Sequence, residues 1–127
     1  MWRYLMIVLG SAALGSLAAT VGFSLIMGGT GSPDPARFVF GFTLFTMIFT
    51  APGSMMLVGI HAILAGRGLG RLQRGALVAL FGAVSGALIL GLLSPHAAGL
   101  GAFYGVSTAV ALLVVQRLLE AMHRAEA

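Results

Sequence analysis

The chain contains no cysteine, no lysine and no asparagine among its 127 residues. The absence of cysteine excludes disulfides, thiolate metal sites and cysteine nucleophiles. Charged residues make up only 8% of the chain, whereas a soluble domain usually carries about 25%. A soluble protein with so few charges would lack the polar cover that its surface needs. The composition therefore indicates a protein whose solvent is the lipid bilayer.

Acidic residues are also scarce, and none lies inside an apolar run. The three acids are Asp34, Glu120 and Glu126, which lie in a turn or in the polar tail. Ion-coupled transporters usually bury an ionisable group, although this costs about 2.5 kcal/mol or more. A proton exchange through a buried carboxylate is therefore unsupported. No acid–base pair or nucleophile constellation can be assembled either, so we expect no enzymatic activity.

Apolar sequence is what the chain has in abundance, with 59% hydrophobic residues and a mean hydropathy of +1.05. A run of about 20 apolar residues is long enough to cross a bilayer as a helix. The first run continues well beyond a possible signal-peptide cleavage signature at Ser16–Ala18, so we expect it to be retained. The sequence predicts a single domain over residues 1–127, with transmembrane helices at about 4–27, 33–65, 76–93 and 95–117.

The arginines predict the orientation of these helices. Six of the seven lie beside the N-terminus, in the central segment 66–75 or in the C-terminal tail. Arginine-rich segments favour the cytoplasmic side of a membrane. We therefore predict an all-α membrane protein that forms an antiparallel four-transmembrane-helix bundle with both termini cytoplasmic. This multi-pass protein would lie in a bacterial-type cytoplasmic (inner) membrane. The net charge of +4 is then explained by topology, and we expect contact with the lipid bilayer rather than nucleic acid.

The central segment, GRGLGRLQRG, is the most basic part of the chain. Its spacing does not match a phosphate-binding glycine loop, and no strand precedes it. On a short helix Arg67, Arg71 and Arg74 would share one side, where each contributes about 1 kcal/mol of attraction to anionic headgroups. A topology signal is a sufficient explanation of these arginines. Binding of lipid headgroups or of a partner is the further hypothesis.

The second apolar run contains a proline near its centre. Pro52 cannot donate a backbone hydrogen bond to Ile48, so a kink is expected near the bilayer midplane. An interrupted helix with hydroxyl groups around it can line a polar path. The alternative is that these hydroxyls cap carbonyls freed by the kink. The candidate residues for a path or kink are Thr46, Thr50, Pro52, Gly53 and Ser54.

Two further patterns concern the faces and ends of the helices. Ala12, Ser16, Thr20 and Ser24 recur at helical spacing and form a small, hydroxyl-rich face that could meet the hydroxyls of the second run. The dipeptide Ser32-Pro33 predicts an N-cap followed by proline at the first helical position.

Histidine provides the one ionisable side chain inside an apolar run. His61 is a weak candidate for contact with a quinone or a haem, or for a proton entry point. The alternative is a histidine hydrogen-bonded at the membrane interface. His96 is predicted on the opposite side of the membrane, so the two cannot share an iron or another metal. We therefore predict no cofactor and no metal site.

The last two helices carry small residues at four-residue spacing. Gly82 and Gly86 form one GxxxG pattern, and Gly101 and Gly105 form another. In lipid, glycines of this kind permit the close backbone approach that provides dispersion contacts between helices. The pattern suits packing within one subunit, and packing between subunits is the alternative.

These features favour two functions. The first is a non-catalytic membrane subunit, or an assembly or stabilising factor, that packs as a homo-oligomer or within a larger membrane-protein complex. Small size, absent catalytic groups and abundant helix-packing residues support it. The second is a small homo-oligomeric transporter or channel with a polar path at the Pro52 kink.

Overall fold

The computed structural model describes all of residues 1–127 and is 87% helical without strands. The helices are α1 (Trp2–Ile26), α2 (Pro35–Ala65), α3 (Arg71–Leu93) and α4 (Ala98–Glu126), with a 3₁₀ turn at Pro95–Ala97 before α4. All four α-helices are long and apolar enough to cross a membrane. The chain is therefore an all-α protein with four candidate membrane spans, as expected of a multi-pass membrane protein.

The start of α2 differs from the predicted one. The N-cap is Asp34 rather than Ser32, and its side chain accepts a hydrogen bond from the Arg37 N–H at 3.2 Å. The cause is Pro35, which disfavours helical backbone at the residue before it and is itself suited to the first helical position. The Ser32 hydroxyl instead accepts from the Asp34 N–H at 3.3 Å, within the turn. The prediction of a Ser32 N-cap was wrong.

Two other helix ends also differ from the sequence-based boundaries. Helix α3 begins at Arg71 instead of Ala76, since the Gln73 side chain accepts a hydrogen bond from the Gly70 N–H at 3.3 Å and so stabilises an earlier start. Helix α4 extends beyond its predicted membrane span, which ends at about residue 117, and continues to Glu126. This agrees with the prediction that the polar tail leaves the membrane as a helix. Arg67 lies in the turn before α3, so the expectation that it shares one short helix with Arg71 and Arg74 was wrong.

Helix α4 packs closely against both α3 and α1, whereas α2 lies mainly against α1 and touches α3 and α4 less. The approach of α3 to α4 depends on glycine. A Cβ built on Gly82 would lie 2.5 Å from the Gly105 carbonyl oxygen, and one on Gly86 would collide with the Gly101 carbonyl. Because α2 is held less closely, a gap remains between it and the α3–α4 pair.

Candidate functional site

Hydroxyl groups connect the helices in the interior of the bundle. The Ser16 and Thr50 hydroxyls lie 2.8 Å apart and join α1 to α2. The Thr20 and Tyr104 hydroxyls lie 2.7 Å apart and join α1 to α4. The structure thus brings the hydroxyl faces of α1 and α2 together at the Ser16–Thr50 pair. In hydrocarbon such interhelical bonds contribute roughly 0.6 kcal/mol on average.

Other interior hydroxyls bond to carbonyls of their own helix. Thr46 donates to the Phe42 or Thr43 carbonyl, each at 3.0 Å. Ser54 donates to the Thr50 carbonyl at 2.9 Å. Helix α2 continues through Pro52, and no side-chain hydroxyl bonds to the Ile48 carbonyl that the proline leaves without its usual donor. Most of the interior hydroxyls are thus occupied by internal hydrogen bonds.

The gap between α2 and the α3–α4 pair forms an apolar cleft of about 140 Å³. Among the predicted residues of α2, Thr46, Thr50 and Gly53 line this cleft, whereas Pro52 and Ser54 do not. Pro52 is exposed on the outside of the helix, and Ser54 is buried. The cleft surface is almost entirely apolar. Its other walls include the phenylalanines of α2 and the facing glycines of α3 and α4, namely Phe42, Phe45, Phe49, Gly82, Gly86, Gly101 and Gly105.

Gly53 leaves open space on the cleft side of α2. A Cβ built on Gly53 would meet no atom within 4 Å, and the same is true of Gly59, which does not line the cleft. The phenylalanines beside Gly53 are arranged in series, with centroids 6.3 Å apart for Phe42 and Phe45 and 5.6 Å apart for Phe45 and Phe49. The cleft therefore has one aromatic wall and room for an additional apolar group.

A second, more polar pocket of about 480 Å³ lies where the C-terminal end of α2 meets the start of α3 and the polar end of α4. We call it the basic pocket. Arg67 is not part of it. It contains both α3 arginines of the central segment, two arginines of the α4 tail, and single histidine and glutamate side chains. Its charged and titratable residues are His61, Arg71, Arg74, Arg117, Glu120 and Arg124.

Sequence patterns did not indicate two features of these sites. Tyr104 is buried and bonded to Thr20, yet no motif or spacing in the sequence distinguishes it. The grouping of Arg117 and Arg124 with Arg71 depends on where α3 begins and how far α4 extends. A helical periodicity of the tail arginines, seven residues apart, was the available signal for the second feature.

No group of three or more histidine, cysteine, aspartate or glutamate side chains is placed to hold a metal ion. No protein-family model, curated protein or solved structure matches the chain. The apolar cleft and the basic pocket are therefore the features of the molecule that bear on its function.

Proposed function

We propose that this protein is a non-catalytic subunit or assembly factor of a membrane-protein complex, and that the apolar cleft receives a side chain from a neighbouring transmembrane helix. The unfilled cleft is the observation that carries the proposal. A cavity of about 150 Å³ is large enough to accept benzene, so a cleft of about 140 Å³ suits an aromatic or large aliphatic side chain. The neighbour is a second copy of the chain or another membrane subunit.

The use of the polar groups supports an assembly role over a chemical one. The Thr46 and Ser54 hydroxyls bond to backbone carbonyls, and the Ser16 hydroxyl bonds to Thr50. These groups stabilise the bundle and have less capacity left for a substrate. The four glycines of the GxxxG patterns face each other within one chain, so their close backbone contact already joins α3 to α4. The cleft beside α2 is the concave surface that remains for contact with a partner helix.

In this proposal the four helices form an antiparallel bundle in a bacterial-type inner membrane, with both termini cytoplasmic. The opposed order of the glycine pairs, Gly82 with Gly105 and Gly86 with Gly101, supports antiparallel packing of α3 and α4. The six arginines of the N-terminus, the central segment and the tail support the orientation.

Filling the cleft tests the assembly role. Gly53→Leu adds a side chain that occupies the cleft, whereas Gly59→Leu adds the same side chain to α2 outside it. We expect the wild-type protein, extracted in mild detergent, to elute as a homo-oligomer or with another subunit, as measured by light scattering and mass spectrometry. Gly53→Leu should release the monomer, and Gly59→Leu should behave like wild type.

A wild-type protein recovered only as a monodisperse monomer, without a co-purifying subunit, would contradict the assembly role. Equal loss of association in both leucine variants would contradict the role of the cleft.

The cleft also supports a second candidate, a small homo-oligomeric transporter or channel, since hydroxyl-bearing Thr50, Ser85 and Thr108 are among its lining residues. Solute flux in reconstituted liposomes that is lost in Thr50→Val and Gly53→Leu, but kept in Gly59→Leu, would favour this role. The transporter role is the weaker candidate, because the cleft surface is apolar and offers a polar solute few hydrogen-bond partners.

A further inference from the structure

The basic pocket gathers cationic side chains that are distant in the sequence. Arg71 and Arg74 lie in the first turns of α3, and Arg117 and Arg124 lie in the polar end of α4. His61, near the end of α2, lies on the same pocket. Three helices thus contribute to one polar volume of about 480 Å³, which is large enough for a phosphate group and its substituents.

The arginines of this pocket are not neutralised by the protein. Glu120 is the one carboxylate among the lining residues, against four guanidinium groups. No arginine in the chain lies within 4.0 Å of a carboxylate oxygen, and the one acid–base contact within that distance joins His123 to Glu126. The pocket therefore holds an excess of positive charge that an external anion can balance.

The surroundings of Arg74 and the N-terminus of α3 also favour an anion in the basic pocket. Arg74 Nη2 donates to the Leu69 carbonyl at 3.0 Å, which fixes the guanidinium group in place. Its Nε is buried and has no hydrogen-bond partner, a costly state for a donor. The pocket also borders the N-terminus of α3, where free backbone N–H groups and the helix dipole favour negative charge. An anion in the pocket would be attracted by the positive charge of Arg74 and by the N-terminus of α3.

We infer that the basic pocket binds a phosphate-bearing anion, held by the guanidinium groups of Arg71, Arg74, Arg117 and Arg124. The planar guanidinium fork matches phosphate oxygens and can bind them in bidentate fashion. The anion is a phospholipid headgroup or a soluble phosphate, since both present the same chemistry at the polar end of the bundle. This site does not depend on the apolar cleft or on the assembly role.

Calorimetric titration of the full-length protein in neutral detergent tests the site. The probes are short-chain phosphatidylglycerol and inorganic phosphate, with short-chain phosphatidylcholine as the zwitterionic control. We expect saturable binding of phosphatidylglycerol, of phosphate or of both, and weaker binding of phosphatidylcholine. Arg74→Gln with Arg117→Gln should weaken binding by about fivefold for each arginine removed. Binding of phosphatidylglycerol alone assigns a lipid site, and binding of phosphate assigns a site open to soluble anions.

The matched control is Arg3→Gln with Arg37→Gln, which removes the same charge outside the pocket and should leave the affinity nearly unchanged. Arg74→Lys with Arg117→Lys keeps the charge but removes the planar guanidinium groups that can bind phosphate in bidentate fashion. We expect this variant to bind the anion more weakly as well. This lysine pair decides the question if the glutamine pair does not fold. Failure of both anionic probes to bind saturably, or equal weakening in the pocket and control variants, would overturn the proposal.

Discussion

At the scale of single residues, glycine determines how closely two of the helices approach. Gly86 and Gly101 face each other so closely that a methyl group on either would collide with the carbonyl oxygen of the other. In lipid the hydrophobic effect provides little attraction between helices, so dispersion between closely packed backbones carries more of the stability. Replacing such a glycine with a larger residue forces the two backbones apart and weakens many of the contacts between α3 and α4 at once.

We therefore expect Gly86→Ala to destabilise the bundle by about 1–3 kcal/mol, the usual cost of overpacking a close contact. The measurement is reversible unfolding in mixed micelles, followed by circular dichroism. Gly91→Ala is the matched control on α3, since its Cβ would meet the Ala98 Cβ at an ordinary 3.4 Å. Equal stability of the two variants would show that the close approach at Gly86 contributes nothing.

At the scale of helices, a pair of hydroxyls links α1 to α2. The Oγ of Ser16 and the Oγ1 of Thr50 lie 2.8 Å apart, and the chain has no native cysteine. Two cysteines at these positions would be near the geometry that a disulfide needs. A cross-link there would report directly on the pairing of the two helices.

We expect Ser16→Cys with Thr50→Cys to form an intramolecular disulfide in oxidised membranes. The readout is protection from a maleimide-polyethylene glycol reagent in denaturing gels. Leu17→Cys with Thr50→Cys is the control, because Leu17 is exposed on the outside of α1, and it should stay reduced. A cross-link in the control alone would mean that a different face of α1 meets α2.

The sequence predicted the existence of the four helices because long apolar runs without charges are a sufficient signal for membrane spans. It did not predict their ends equally well. The start of α2 depends on how Pro35 restricts Asp34, and the start of α3 depends on a Gln73 side-chain hydrogen bond. Such local competition between neighbouring residues is not visible in hydropathy.

The site residues, like the helices, could be predicted from the sequence only in part. Periodicity indicated that Ser16, Thr20 and Thr50 lie on hydroxyl-rich faces, but it does not determine which hydroxyl meets which. The partner of Thr20 is Tyr104, a residue 84 positions away. The basic pocket likewise requires the relative placement of three helix ends, so it follows from the packing and not from any one segment.

At the scale of the whole molecule, the arginines are unevenly distributed between the ends of the bundle. Arg37 is the one arginine at the end of the bundle where α2 begins, whereas the central turn, the start of α3 and the end of α4 carry five arginines. If the four helices cross the membrane in alternating directions, this places the basic pocket at the cytoplasmic surface. The assembly role depends on the same four membrane crossings, because the proposed occupant of the cleft is a side chain of a transmembrane helix.

Single-cysteine labelling in intact bacterial cells tests this arrangement most directly, because the natural chain gives no background. The positions are Thr30→Cys in the turn after α1, Leu72→Cys at the 88% exposed Leu72 of α3, and Ala127→Cys at the C-terminus. We expect a membrane-impermeant maleimide to label position 30 in intact cells, and to label positions 72 and 127 only after the inner membrane is permeabilised. Labelling of position 72 from outside, or a chain that stays soluble without detergent, would contradict this arrangement.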